Sequence, residues 1–378
     1  MKTIKDILSD GFWIMPSTPQ FIENGEIPYI TSKNIKIGNI DFSNVEYISK
    51  EDFEEISKNR PIKVNDMLIS MIGTLGNIAI VKETDGSFYG QNMYLLRLNS
   101  DVIDRDYFYH FFNSDVVKRH IESRKNKSTQ GYLKANHIEE IAIPVPSMEE
   151  QKEIASHFEA INSLIDARKE QLEKLDLLVK SRFIELFGEV EINVKGFPMK
   201  RMDECCKFIG GAQPDKSHFE YEKTDDNIRL IQIRDYKSDR FITYIPKSLA
   251  RKTCTASDIM IGRYGPPIFQ ILGGIEGAYN VALMKAVPTA EFNTEYFRYF
   301  LKSEKLLHYL ESFSQRTAGQ DGIQIDKLNA YPCFVPPMEL QIQFAAFVEQ
   351  TDKSKLAVQQ SLEKLETLKK ALMQKYFG

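Results

Sequence analysis

A segment opening Val145-Pro146-Ser147-Met148-Glu149-Glu150-Gln151 returns 190 residues later as Val335-Pro336-Pro337-Met338-Glu339-Leu340-Gln341, and the copies align without a gap to Phe187-Gly188 and Phe377-Gly378. Sixteen of the 44 paired positions are identical, including Leu172-Glu173-Lys174-Leu175 against Leu362-Glu363-Lys364-Leu365. Fainter matches precede them. Asn65-Asp66-Met67-Leu68-Ile69-Ser70 parallels Ser257-Asp258-Ile259-Met260-Ile261-Gly262, Asn92 to Arg97 parallels Asn280 to Lys285, and Tyr107-Phe108 parallels Tyr296-Phe297. So long a period is not that of a solenoid; it marks a tandem duplication of two module-plus-helix units related by approximate twofold symmetry.

The strongly repeated segments read as helices. Between Glu149 and Phe187 there is no Gly or Pro, and Ile154, Phe158, Ile161, Ile165, Leu172, Leu175, Val179 and Leu186 form an apolar stripe at steps of three and four. Such a stripe drives one helix against another. Arg168 and Arg182 interrupt it, setting register or snorkelling. The second segment, Glu339 to Phe377, repeats the pattern with Phe344, Val358, Leu362, Leu365, Leu368 and Leu372, and with Lys355 and Lys369 in the seam. At the helical rise each spans about 60 Å, too long for one module to bury, so the two are expected to pair antiparallel with the modules at opposite ends.

Before each helix lie short strand-like runs punctuated by Gly, Pro, Asn and Asp, such as Tyr29 to Thr31, Ile78 to Val81, Ile228 to Ile233 and Asp258 to Ile261. The expected class is α+β: two β-rich α+β domains in pseudo-twofold tandem, separated by two long antiparallel coiled-coil helices. The boundaries read as a module over 1–145, a helix over 146–188, a module over 189–335 and a helix over 336–378.

The 49 Lys and Arg against 53 Asp and Glu give a net charge of −4, which excludes a uniformly basic chain but not a locally basic one. From Val117 to Lys134 the net charge is +5, and the stretch carries Arg124, Lys125, Asn126, Lys127, Ser128, Gln130, Tyr132 and Lys134. The corresponding place in the second module holds Gln315, Arg316, Gln320 and Gln324. Further cations stand at Lys33, Lys36 and Arg60, and at Arg229, Arg234, Lys237, Arg240, Arg251 and Arg263 beside Tyr264. Cations neutralise phosphates, and amides and guanidinium groups read base edges, so these residues are candidate nucleic-acid contacts. A solvated surface loop remains the alternative reading of the basic stretch.

Nothing in the chain announces catalysis. Six histidines form no HExxH pair, four cysteines form no paired zinc spacing, and no phosphate loop, dinucleotide fingerprint or nucleophile elbow occurs. The Pro-Pro pairs at 266 and 336 lack the flanks of a base-gripping motif. No metal site or catalytic residue is expected. No apolar run reaches membrane-spanning length and the first residues lack a signal-peptide core, so a cytoplasmic location is expected.

The twice-used Val-Pro-x-Met-Glu-x-Gln opening, the Phe-Gly helix ends, Pro28-Tyr29-Ile30-Thr31 and Asn65 to Ser70 together resemble the specificity (S) subunit of type I restriction-modification systems, the HsdS family. The resemblance covers essentially the whole chain. It implies a DNA-binding subunit, non-catalytic by itself, in which each module is a target recognition domain reading one half of a bipartite double-stranded DNA sequence. It implies that the helices set the spacer and dock two modification subunits through Glu149, Gln151, Ile154, Phe158, Leu172 and Leu175 and through Glu339, Gln341, Phe344, Leu362 and Leu365. S-adenosylmethionine, ATP and Mg would then belong to modification and restriction partners in a prokaryotic cytoplasm. A self-contained nucleic-acid enzyme and a coiled-coil assembly protein without a DNA role are the competing readings of the residues alone.

Overall fold

The computed structural model describes every residue except 24, 125–131, 191, 266 and 314–321. The chain divides into two compact units, Met1–Glu170 with Gln359–Gly378, and Gln171–Val358. Each long helix, Met148–Phe187 and Met338–Phe377, therefore gives its first part to one unit and its last part to the other.

In the first unit an antiparallel sheet runs in the order Leu8–Ile14, Met93–Leu98, Met67–Ser70, Ile78–Ile80. A smaller sheet places Ile27–Thr31 between antiparallel Glu46–Ile48 and parallel Tyr89–Gln91. The central strands are buried on both faces, which is why they read as continuous apolar runs. Met67, Ile69, Tyr94 and Leu96 point into the aromatic core under the helices, while the alternate residues Leu68, Met93 and Leu95 face the smaller sheet. The helix Arg105–Phe112 is capped by Asp104, which accepts from the backbone N–H groups of Asp106 and Tyr107 at 3.0 and 2.9 Å. It presents Tyr107, Phe108 and Phe111 to the core.

Within this unit the two long-helix segments run antiparallel. The rings of Phe158 and Phe377 stack at 5.7 Å, whereas Arg168 Nε donates to Ser361 Oγ at 3.3 Å, so one number rises as the other falls. Phe377 also meets Tyr107 and Phe111 edge-on at 5.4 and 5.7 Å, completing the core of a module more than two hundred residues earlier in the chain.

The second unit repeats the plan. Its larger sheet has the order Cys206–Gly210, Leu283–Pro288, Ile259–Gly262, Gln270–Leu272, and its smaller sheet the order Tyr244–Pro246, Asn227–Ile231, Gly277–Tyr279, Thr253–Cys254. Here Phe187 plays the part of Phe377, packing on Tyr296 at 4.7 Å and on Phe344 at 5.7 Å. Lys355 Nζ lies 2.6 Å from Asp176 Oδ1, and Arg182 covers the Phe347 ring at 6.0 Å while pairing with Glu185 at 2.8 Å. Arg168, Arg182 and Lys355 thus reach their partners without burying a bare charge. Both α+β modules and the long helices follow the sequence expectation.

The glutamine of each repeated motif turns inward. Gln151, almost wholly buried, accepts from the Asp104 N–H at 2.8 Å and donates to the carbonyls of Val102 and Pro146 at 3.1 and 3.0 Å. Gln341 accepts from the Asn293 N–H at 2.8 Å and donates to Glu291 and Pro336 at 2.9 and 2.8 Å. One amide thereby ties the first turn of a long helix to the segment entering its module's aromatic helix, twice. Read from the sequence as docking residues, these two glutamines are consumed inside the fold. So are Ile154, Phe158 and Phe344, which are buried.

Among the described residues no helix is long and apolar enough to cross a membrane.

Replacing Gln151 or Gln341 with Leu keeps the bulk but strands a buried N–H and two carbonyls, so the unfolding free energy should fall by at least about 2 kcal/mol in urea titration. His110 is buried against Phe158 at 5.1 Å, and burial with nearby Lys369 pushes its imidazole down to about 4. Above the ordinary imidazole value, about 6.5, it is neutral whether folded or unfolded; below it only the unfolded chain takes up the proton. Stability should therefore be full above about pH 6.5 and decline toward about pH 4, by about 3 kcal/mol for this group. The difference between the native chain and His110→Phe across that window, followed by denaturant midpoint, measures it.

Candidate nucleic-acid interface

The strand Ile27–Thr31 ends in a tight turn closed by Asn34, whose Oδ1 accepts from the Thr31 N–H at 2.9 Å. In the second module Asp235 closes the same turn on the Gln232 N–H at 3.0 Å. Tyr29 pairs with Tyr89 as Leu230 pairs with Ala278, so the register matches Lys33 to Arg234 and Lys36 to Lys237. Asn34 and Asp235 are buried at the centre of these turns, while all four cations are exposed. Asn34 Nδ2 also donates to the carbonyls of Asp41 and Asn44 at 2.8 and 3.2 Å, bracing the loop that follows.

Other loops meet this one. Ser32 Oγ accepts from the N–H groups of Met71 and Ile72 at 3.0 and 3.3 Å and donates to the Asn92 carbonyl. Asn77 Nδ2 donates to Ile35 O at 3.0 Å, and the turn between them passes through Gly73 and Gly76 with φ of 80° and 78°, a region that favours glycine. Ile72 bridges to Tyr132, and Leu133 N–H donates to Met71 O at 3.0 Å, so the basic stretch leaves from beside this turn. In the second module Tyr264 bridges to Gly322 and Ile323 N–H donates to Arg263 O at 3.2 Å. Each module therefore gathers three segments of distant sequence into one rim.

Lys33 and Lys36 stand on the first rim, Lys36 3.8 Å from Asp41. Tyr132 is partly exposed there and Lys134 is exposed just before the short helix Ala135–Glu139. Arg124 ends its helix 4.0 Å from Glu140, and Arg60 is tied to the outer strand, donating to Trp13 O at 3.3 Å with its guanidinium 5.3 Å from the Phe12 ring. Lys125, Asn126, Lys127, Ser128, Gln130, Gln315, Arg316 and Gln320 lie outside the described residues.

On the second rim Arg234 and Lys237 are exposed, as is Arg251. Arg263 lies 5.4 Å from the Tyr264 ring and donates to Val281 O at 3.4 Å. Two residues are committed internally. Arg229 pairs with Asp239 at 2.8 Å and lies 3.8 Å from buried Asp235, whose carboxyl is pushed up by burial despite the Gln232 N–H and the neighbouring guanidinium groups. Gln324 donates to Phe313 O, tying together the described residues on either side of 314–321. Local charge alone could not reveal either commitment, because both depend on partners supplied by the fold.

Sequence reading also missed residues. Phe241 stands exposed beside Arg240, and Arg240-Phe241 as an adjacent cation and aromatic was the available signal. On the long helices Glu149 and Glu339 are exposed, whereas Leu172, Leu175, Leu362 and Leu365 are half-buried. The most exposed apolar residues of these helices are Leu177, Ile342 and Leu356, each more than half exposed. Ile342, Ala345, Glu349, Asp352 and Leu356 line a shallow groove with Glu295. Among the described residues no group of three His, Cys, Asp or Glu side chains is placed to hold a metal ion.

Residues 1–177 match the family model of the type I restriction modification DNA specificity domain. The specificity subunit of the type I restriction enzyme MjaIX from Methanocaldococcus jannaschii is 26% identical over 63% of this chain and 62% of its own length. That of EcoKI from Escherichia coli K12 is 21% identical over 94% of this chain and 83% of its own. The chain thus spans about three fifths of the length of the first archaeal relatives it matches. Among solved structures, the S subunit of a type I system from M. genitalium covers 100% of this chain and 95% of its own, with a TM-score of 0.59 at 14% identity. A chain from a type I system solved to explain complex assembly and conformational transition covers 99% and 96% at a TM-score of 0.61 and 18% identity. The fold is shared with both, and the resemblance carried by the repeated helix motifs is borne out.

Replacing Ser32 with Ala should leave the N–H groups of Met71 and Ile72 unpaired and lower the unfolding free energy by about 1–3 kcal/mol in a denaturant titration.

Proposed function

We propose that this chain, a relative of the type I restriction-modification specificity subunits, is the sequence-reading subunit of such a complex. Each module, 1–145 and 189–335, reads one half of a bipartite double-stranded DNA target. The helical segments, 146–188 and 336–378, set the spacer between the halves and dock two modification subunits. The observation that carries this reading is the rim built twice on one backbone plan with different side chains, Lys33 against Arg234 and the Gly73 turn against Arg263 and Tyr264. Equivalent frames with unlike readers suit two unlike half-sites.

Phosphate binding by exposed Lys and Arg positions such a module, and side chains at base edges select the sequence. The net charge of −4 is no obstacle, because the acids concentrate elsewhere, with nine acids against six bases over 149–188. The outward apolar residues Leu177, Ile342 and Leu356 suit subunit docking better than the buried motif residues. The chain is non-catalytic by itself; S-adenosylmethionine, ATP and Mg enter with the modification and restriction partners, in a prokaryotic cytoplasm.

Purified alone, the chain should neither methylate nor cut DNA; mixed with its cognate modification subunit it should direct adenine methylation to a two-part motif found by methylome sequencing. Failure to assemble with that subunit, or turnover by the chain alone, overturns the proposal. Replacing Arg124, Lys125 and Lys127 by Ala should weaken DNA binding and reduce the slope of log affinity against log salt by up to about 3, one phosphate contact per cation.

A further inference from the structure

The loop after the turn of the second module carries a feature that phosphate binding does not explain. Phe241 ends its tip and is 58% exposed, with the guanidinium groups of Arg240 and Arg234 at 5.2 and 5.7 Å from its ring centre. The tip is held in this form by polar contacts. Ser238 Oγ accepts from the Arg240 N–H at 3.1 Å, and Arg234 Nη2 donates to the Phe241 carbonyl at 3.4 Å. The flanking Tyr236 and Ile242 are half-buried and Thr243 is buried, so the backbone that turns them inward presents Phe241 outward.

A single exposed apolar side chain is ordinary on a protein surface. Phe241 differs in being flanked by two guanidinium groups, and on a rim that grips phosphates the apolar surface within reach is the base stack. We propose that Phe241 is a wedge that enters between neighbouring base pairs of the bound duplex while Arg234 and Arg240 hold the phosphates on either side. This rests on the DNA-reading role proposed above and adds deformation of the half-site read by the second module to it. Apolar wedges flanked by cations partly unstack a step and bend the duplex, so the half-site is selected by how easily that step opens as well as by its base edges.

The test uses the full chain assembled with its modification partner, on duplexes of the methylated motif carrying 2-aminopurine at successive positions of the half-site read by the second module. Binding of the unsubstituted complex should raise 2-aminopurine fluorescence at one step. Phe241→Ala should abolish that rise and weaken binding about tenfold, the scale of one stacking contact, with the salt slope unchanged. Phe241→Leu should retain most affinity, and Arg240→Ala should instead reduce the salt slope by about 1. Unchanged affinity and fluorescence with Phe241→Ala overturn the wedge alone. Loss of the modification subunit from the Phe241→Ala complex also overturns it, in favour of a protein contact. No binding by the unsubstituted complex overturns the DNA-reading role and the wedge together.

Discussion

Burial of one phenylalanine at the end of each long helix, Phe377 among Tyr107, Phe111 and Phe158 and Phe187 among Tyr296, Phe183 and Phe344, is the contact on which the remaining architecture depends. Removing such a ring from water contributes about 2–3 kcal/mol, and its edge-on and stacked neighbours add to that. Each ring belongs to a helix that begins in the other unit, and the first module cannot fill its core without a segment remote in sequence. Within each unit the antiparallel helix segments are then held by a polar contact. Arg168 meets Ser361 in one unit and Asp176 meets Lys355 in the other.

The inward glutamines complement this apolar constraint with a directional one. A ring can rotate in an aromatic core, but an amide with one accepted and two donated hydrogen bonds fixes the angle at which a helix leaves its module. With Gln151 and Gln341 holding that angle, the loops on the rim are free to differ. Only the buried turn closers, Asn34 and Asp235, and the backbone register must be kept for exposed positions 33 and 234 or 36 and 237 to coincide. Conformation and surface chemistry are thereby assigned to different residues of the same loop.

Elements governed by periodicity were legible before any coordinates. The helices expected over Glu149 to Phe187 and Glu339 to Phe377 are found at Met148–Phe187 and Met338–Phe377, and the strand read at Tyr29 to Thr31 lies within Ile27–Thr31. An apolar stripe of that length has few other ways to hide from water. What was not legible is which polar residues face solvent. Gln151 resembles any surface glutamine until Asp104 and Val102 are brought to it, and Arg229 resembles a free cation until Asp235 and Asp239 surround it. Those partners lie on other elements or across a turn, and neither hydropathy nor charge counts encode their approach. Phe241 is the reverse case, an aromatic that would ordinarily be assigned to a core but is turned outward by its loop.

The interchange of helix ends also bears on how the chain is made. Translation delivers residues 1–170 long before 359–378, so the aromatic pocket around Tyr107 and Phe158 must wait, open to water, for Phe377 to emerge. The second module has no such delay, since Phe187 precedes it and is present when Tyr296 and Phe344 arrive. The first half synthesised is thus the last to close, and a nascent chain carries an unsealed aromatic surface through most of its synthesis.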